Sequence, residues 1–202
     1  MAGSLGKQWI GKGHELLFGS RDTDKGSNSL AEVLGTPARL GTLTEAAEFG
    51  DVLVLAIPHA GTSEAVRAAG TLTGKIIIDC TNPVGRSSEG MYLTTGGTTS
   101  AAEEIAKIAN GAKVIKAFNT NFSPLIRSGG RIGKARSDSF YCGDDNDAKE
   151  NVATLIEDAG FHAVDVGPLS MARYLEPFAL MIIQLKRLHG GGQDVGYQLL
   201  VP

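Results

Sequence analysis

The chain has 202 residues, of which 42% are hydrophobic and 20% charged, and its formal net charge is −3 at pH 7. This length suits one domain with a substantial core. The small net charge gives no electrostatic reason to expect a nucleic acid or an anionic membrane as partner. No apolar run approaches the roughly 20 residues of a membrane-spanning helix. Lysines and glycines interrupt the N-terminus where a secretory signal would be apolar.

The two cysteines, Cys80 and Cys142, both lie in apolar runs typical of strands. We expect them to be buried free thiols and not a disulfide, which favours a reducing, cytoplasmic location. The spacing of histidines and cysteines matches no zinc pattern, so we predict no metal site.

Apolar runs alternate with helical patterns along almost the whole chain. After an opening helix, strands are predicted over 16–18, 38–40, 52–57, 75–80, 113–118, 139–142 and 162–166. Helices are predicted over 29–34, 44–49, 62–69, 99–109 and 145–159. Continuous apolar strands such as 52–57 are typical of parallel sheets covered on both faces. The alternation predicts one α/β domain over residues 1–202, Rossmann-like and doubly wound, with a mainly parallel sheet.

The C-terminal part of the chain predicts a long helix, about 170–188, and a terminal strand from Tyr197 to Val201. The helix carries a broad apolar stripe, from which we expect a homodimer. Arg173 and Glu176 are three residues apart on it and predict a surface ion pair, or alternatively a contact with a partner subunit.

The segment GHELLFGSRD, residues 13–22, is typical of the second strand of a dinucleotide-binding fold, entered from a helix. The residue that closes this strand faces the adenosine ribose. An acidic residue there binds the 2′-hydroxyl of NAD, whereas an arginine accommodates the 2′-phosphate of NADP. Here Ser20 and Arg21 close the strand and Lys25 follows. A hydroxyl, a guanidinium and an ammonium together favour a phosphate monoester, hence NADP. The alternative is a polar turn with ordinary surface charges.

The opening of a dinucleotide-binding fold, a strand followed by G-x-G-x-x-G/A, has no counterpart in this sequence. Residues 1–6 already predict the first turn of a helix, and Ala2 stands where the third small residue of that motif belongs. We therefore expect an N-terminally truncated fold. Its missing strand would lie between the strands predicted over 16–18 and 52–57.

Three predicted strands end in small, amide or hydroxyl side chains. The ends are Pro58-His59, Thr81-Asn82-Pro83 and Asn119-Thr120-Asn121. Because ligands of open α/β sheets bind at the carboxyl ends of strands, these groups predict a nicotinamide site. No acid–base pair converges there, since a lone His59 before a helix is more typical of a solvated loop. We predict no catalytic side chain and a hydride transfer governed by positioning.

A family resemblance is carried by six ordered segments between about Gly3 and Glu176. They are GHELLFGSRD, DVLVLAIP, KIIIDCTNPV, KVIKAFNTNF, YCGDDNDAKENVATLIEDAGFHAVDVGPL and ARYLEP. The chain resembles the NADPH-dependent F420 reductases and their relatives lacking the deazaflavin, with the cytosolic domains of the STEAP metalloreductases as more distant cousins. The resemblance implies NADP as cofactor and coenzyme F420 or a flavin as second substrate.

The resemblance also assigns residues to parts of the cofactor. It implies a 2′-phosphate site of Ser20, Arg21 and Lys25. It implies a pyrophosphate and ribose side of Ala56, Ile57, Pro58 and His59. The nicotinamide and second-substrate side would be Thr81, Asn82, Pro83, Ala117, Phe118 and Asn119.

Three hypotheses follow from the sequence. The first is an oxidoreductase that moves a hydride between NADP(H) and a small acceptor. The second is a non-catalytic NADP-binding redox sensor or partner subunit, and the third is a truncated product that folds poorly. Binding of NADPH separates the second hypothesis from the third, and turnover with ring acceptors separates the first from the second.

Overall fold

A computed structural model describes residues 1–22, 27–189 and 195–200 of the chain. Within these residues the α-helices are α1 (Ala2–Ile10), α2 (Ser27–Leu34), α3 (Leu43–Phe49), α4 (Thr62–Ala68), α5 (Ala101–Ile108), α6 (Ser123–Arg127), α7 (Asn146–Asp158) and α8 (Ala172–Leu188). Short 3-10 turns at His59–Gly61 and Leu169–Met171 precede α4 and α8. None of the described helices combines the length and apolarity that crossing a bilayer requires.

The predicted strands occur in the predicted order, most of them with shorter bounds, whereas β10 is longer than the predicted 139–142. They are β1 (Phe18–Gly19), β2 (Leu40–Gly41), β3 (Val52–Leu55), β4 (Ile76–Asp79), β5 (Val84–Ser87), β6 (Gly90–Leu93), β7 (Lys113–Ala117), β8 (Arg131–Ile132), β9 (Ala135–Arg136), β10 (Asp138–Gly143) and β11 (His162–Asp165). The hairpins β5–β6 and β8–β9 and the helix α6 were not predicted from the sequence.

The central sheet has five strands in the order β11-β10-β7-β4-β3. Its pairings are parallel except for the antiparallel pair β7–β10. The strands β1 and β2 form a separate parallel pair. The prediction of a mainly parallel α/β sheet is therefore confirmed.

Helices cover both faces of this sheet. Successive residues of each strand point to opposite faces, so apolar strands present side chains to a core on each side. Ile78 on β4 and Ile115 on β7 pack into one core with residues of α1, α6 and α7. Their neighbours Ile77 and Val114 pack into a second core with residues of α3, α4, α5 and the start of α8. This is the doubly wound arrangement that the alternating sequence predicts.

The prediction of a terminal strand from Tyr197 to Val201 is wrong for its described part, because residues 195–200 form no helix or strand. Val201 lies outside the described residues. Tyr197 accepts one hydrogen bond from Asp138 N, 2.9 Å away, and its ring packs against Phe140 and Phe178. The aromatic contacts account for the apolar character of this stretch. Cys80 and Cys142 are buried free thiols, as predicted.

Candidate functional site

A cleft of about 530 Å³ separates β1 from β3. Ser20 and Arg21 lie where β1 ends, and Ala56, Ile57 and Pro58 lie where β3 ends, and all five line this cleft. The structure thus brings together most of the residues predicted to hold the adenosine and pyrophosphate parts of a dinucleotide.

The Ser20 hydroxyl closes a tight turn, since it donates to Asp22 O at 2.7 Å and accepts from Asp22 N at 3.1 Å. Arg21 Nη1 lies 3.4 Å from Glu64 Oε2 at the start of α4, with 73% and 67% of the two side chains exposed. An exposed pair at this distance is weak, so the guanidinium can turn towards a phosphate at little cost. Lys25, predicted to join this site, lies outside the described residues.

His59 begins the 3-10 turn between β3 and α4 and is not among the side chains that line the cleft. Its carbonyl accepts a hydrogen bond from Thr62 Oγ1 at 2.8 Å. Its Nδ1 is buried and has no hydrogen-bond partner among the described residues. His59 is therefore more enclosed than the solvated loop residue that the sequence predicts.

The ends of β4 and β7 meet through a pair of amide side chains. Asn82 Nδ2 donates to Asn119 O at 2.8 Å, and Asn119 Nδ2 donates to Asn82 Oδ1 at 3.0 Å and to Leu175 O at 3.0 Å. Asn119 Oδ1 and Thr81 Oγ1 are buried without a hydrogen-bond partner in the described part of the chain. Both oxygens are enclosed by the protein, and neither residue lines the cleft between β1 and β3. Pro83, next to Asn82, is buried.

Ala117 and Phe118, also predicted to lie near the nicotinamide, are fully buried and do not line the cleft between β1 and β3. The Phe118 ring makes edge contacts with Trp9 and Phe161, at centroid distances of 6.1 and 6.3 Å. Phe118 also has a φ of 60°, a conformation that costs a side-chain-bearing residue about 1–3 kcal/mol. Its packed ring holds the backbone in this conformation at the point where Asn119 leaves the strand.

A buried ionic cluster behind the amide pair was not predicted from the sequence. Lys116 Nζ lies 2.8 Å from Asp79 Oδ2, 2.8 Å from Glu176 Oε1 and 2.7 Å from Thr81 O. Asp79 Oδ1 accepts from Thr81 N at 2.9 Å. Burial opposes the charge of the lysine, but the two carboxylates outweigh it and raise the pKa of Lys116.

The cluster ties the site to α5 and α8. Glu176 on α8 accepts from the backbone N–H of Ala101 and Ala102, which begin α5, at 3.1 and 3.4 Å. The predicted surface pair of Arg173 and Glu176 is therefore wrong, because Glu176 is buried and Arg173 instead binds Glu103 at 2.6 and 2.9 Å. The sequence held a signal for this cluster. Asp79 and Lys116 are charged residues within largely apolar strands, and buried charges need partners.

The chain is similar to known proteins. A family described as NADP oxidoreductase, coenzyme F420-dependent, matches residues 1–83. The F420-dependent NADP reductase of Methanothermobacter marburgensis is 30% identical over 208 residues, covering 91% of this chain and 89% of that protein. The chain belongs to the F420-dependent NADP oxidoreductase family. The predicted resemblance is confirmed, and the chain is an NADP-dependent oxidoreductase.

Two further relatives place the family in context. Metalloreductase STEAP3 of Rattus norvegicus is 28% identical over 182 residues, which are 90% of this chain but only 35% of that longer protein. A crystal structure from Arthrobacter sp. FB24, of a protein named an F420-dependent NADP-reductase, is 27% identical with a TM-score of 0.87. The match covers 98% of this chain and 94% of that one, and it confirms the Rossmann-like fold.

Proposed function

We propose that this member of the family transfers a hydride between NADP(H) and a planar ring acceptor, most specifically coenzyme F420 or a flavin. The proposal rests on one observation: the residues that follow β1 and β3 line the same cleft, and Ser20 and Arg21 are among them. The names of the relatives from Methanothermobacter and Arthrobacter support the same acceptor.

Ser20 and Arg21 would hold the 2′-phosphate of NADP, with Lys25 as a third predicted contact. The guanidinium offers several N–H donors in a fixed fork, which suits phosphate oxygens. The Ser20 hydroxyl donates to Asp22 O and accepts from Asp22 N, so binding a phosphate oxygen would redirect its proton from Asp22 O. Ala56, Ile57 and Pro58 would contact the ribose and pyrophosphate.

Asn82 and Asn119 would orient the nicotinamide and the acceptor at the neighbouring rim. When bound, NADPH supplies the hydride from its nicotinamide ring. Transfer between two rings needs the reacting carbons within about 3–3.5 Å and a fixed orientation. The crossed hydrogen bonds of the amide pair fix both side chains. Positioning of this kind needs no strong base, which favours ring acceptors over alcohols and hydroxy acids.

We also propose that residues 1–202 act as one NADP-binding domain, in the cytoplasm, as a homodimer through α8. Four side chains form an exposed apolar stripe at helical spacing on α8, namely Tyr174, Met181, Leu185 and Leu188. The two outermost, Tyr174 and Leu188, are 68% and 70% exposed. A second copy is the partner that would cover such a stripe symmetrically. A monomer in light scattering at micromolar concentration would contradict this assembly.

The test is an acceptor screen that follows NADPH absorbance with F420, flavins and small carbonyl compounds. Ring acceptors should turn over and carbonyl compounds should not. Asn119→Ala should lower ring-acceptor turnover at least tenfold, because the rim loses its amide pair, whereas Asn151→Ala on the exposed face of α7 should leave turnover unchanged. Turnover of carbonyl compounds alone, or an active Asn119→Ala, would refute the placement. NADPH binding without any acceptor reduction would favour the redox-sensor hypothesis.

A further inference from the structure

The residues that follow β7 form a tight turn, and Asn119 is part of it. The backbone N–H of Asn121 donates to Phe118 O at 3.1 Å, which is the closing hydrogen bond of a β-turn over residues 118–121. Thr120, in the middle of this turn, is 4% exposed. The position of Asn119 therefore depends on the contacts that hold the turn against the protein.

One of these contacts comes from Tyr197, which is distant in the sequence. The Tyr197 hydroxyl shares a hydrogen bond with Thr120 Oγ1, 77 residues earlier in the chain. Its ring packs against Phe140 of β10 and Phe178 of α8, at centroid distances of 4.8 and 5.2 Å. Desolvation raises the pKa of Tyr197 to about 12, so the hydroxyl keeps its proton at neutral pH.

The backbone around Tyr197 is itself fixed to the sheet. Asp138 N, at the start of β10, donates to Tyr197 O at 2.9 Å. Gln198 Nε2 donates to Arg136 O at the end of β9, at 2.6 Å. Leu199 N donates to the Asp138 carboxylate. These three hydrogen bonds set the place of the Tyr197 ring relative to the central sheet.

The hydroxyl is the part of Tyr197 that aromatic packing does not explain. A phenylalanine would make the same contacts with Phe140 and Phe178. A tyrosine hydroxyl that leaves water needs a hydrogen-bond partner. Its partner here is the side chain of Thr120, in the turn that contains Asn119.

We propose that Tyr197 is a positioning residue, whose hydroxyl holds the 118–121 turn through Thr120 and so places the backbone of Asn119. The hydrogen bond to Asn82 fixes the amide end of the Asn119 side chain, and Tyr197 fixes its backbone end. Tyr197 acts on hydride transfer without touching either substrate. This kinetic role rests on the proposed function, in which Asn119 orients the two rings.

The first test needs no acceptor and uses the full chain. Tyr197→Phe removes the hydroxyl and keeps the ring. Amide hydrogen exchange at Asn121 should become about two- to tenfold faster, the range that one neutral hydrogen bond contributes, because its bond to Phe118 O loses support. Exchange at Val152, buried within α7, should not change. The matched control is Tyr92→Phe on β6, where the ring is 50% exposed and the hydroxyl makes no hydrogen bond among the described residues.

The second test measures turnover with a ring acceptor. Tyr197→Phe should lower kcat about two- to tenfold and leave the KM for NADPH unchanged, because the 2′-phosphate site is intact; Tyr92→Phe should change neither. Thr120→Val removes the other hydroxyl of the same hydrogen bond. The double variant should therefore be no more impaired than either single variant, in exchange and in turnover.

Three results would overturn the proposal. They are unchanged exchange at Asn121 in Tyr197→Phe, equal acceleration at Asn121 and Val152, and additive losses in the double variant. Failure of the proposed function looks different, since the unmutated chain would then reduce no ring acceptor. The exchange rate at Asn121 would still decide whether Tyr197 holds the turn.

Discussion

Lys116→Met should lower the free energy of unfolding by about 3–5 kcal/mol, the cost of removing one partner from a buried ion pair. Its ammonium lies 2.8 Å from both Asp79 Oδ2 and Glu176 Oε1, and the exposed fractions of the three side chains are 0%, 0% and 1%. Water cannot replace the lost cation at such a site, so two carboxylates remain buried without their counterion. The Thr81 carbonyl also loses its donor.

Lys113→Met is the matched control on the same strand. Lys113 Nζ lies 3.0 Å from Asp145 Oδ2, but 36% and 35% of these two side chains are exposed. Pairs in contact with solvent contribute about 0–1 kcal/mol. The two lysines therefore differ in their surroundings and not in their chemistry.

Urea unfolding of both variants measures the difference. Adding Asp79→Asn and Glu176→Gln to Lys116→Met removes the uncompensated charges but keeps an acceptor oxygen at each position, and it should recover part of the loss. A Lys116→Met protein within about 1 kcal/mol of the unmutated chain would refute the reasoning, because that is the range of an exposed pair. A triple variant no more stable than Lys116→Met would show that packing, and not charge, causes the loss.

Three further changes test the cleft and the backbone. Arg21→Ala should weaken NADPH binding about 10- to 150-fold while changing NADH binding little, since a hydrogen bond to a charged group contributes about 1.5–3 kcal/mol; equal weakening in titrations would make Arg21 structural. Glu64→Gln should tighten NADPH binding by up to about fivefold by removing a competing carboxylate 3.4 Å from Arg21, and unchanged affinity would contradict this. Gly160→Ala should lower the melting temperature far more than Gly70→Ala. Both glycines have positive φ, but only at Gly160 would the new Cβ lie 2.3 Å from a backbone oxygen; similar melting temperatures would count against the close approach.

The sequence predicted β3 and β4 because each lies in a largely apolar run. The run Ile76–Asp79 and the run Val52–Leu55 are both found where the pattern places them. The hairpin of Val84–Ser87 with Gly90–Leu93 was missed, since its residues are half-buried or exposed and carry no sustained apolar alternation. Its pairing is local and depends on the turn at residues 88–89, after which Gly90 begins β6 with φ 129°.

The amide pair could be predicted only as a juxtaposition of strand ends. Alternating strands and helices predict a parallel sheet, whose strands end at one edge, and Asn82 and Asn119 follow two of those strand ends. The crossed hydrogen bonds between them depend on side-chain conformations that no sequence pattern specifies. For Glu176 the local sequence pattern predicted the wrong partner. Its spacing from Arg173 favours a surface pair, whereas its partner Lys116 lies 60 residues away in the chain.

The left-handed backbone at Phe118 links the packing of the core to the orientation of Asn119. Its ring belongs to the aromatic group with Trp9 and Phe161, while its main chain sets the direction in which Asn119 leaves β7. A substitution that repacks these rings would therefore turn the amide as well, although it touches no ligand. Attempts to stabilise this core should be screened for substrate orientation, because variation inside the protein can act on specificity from a distance.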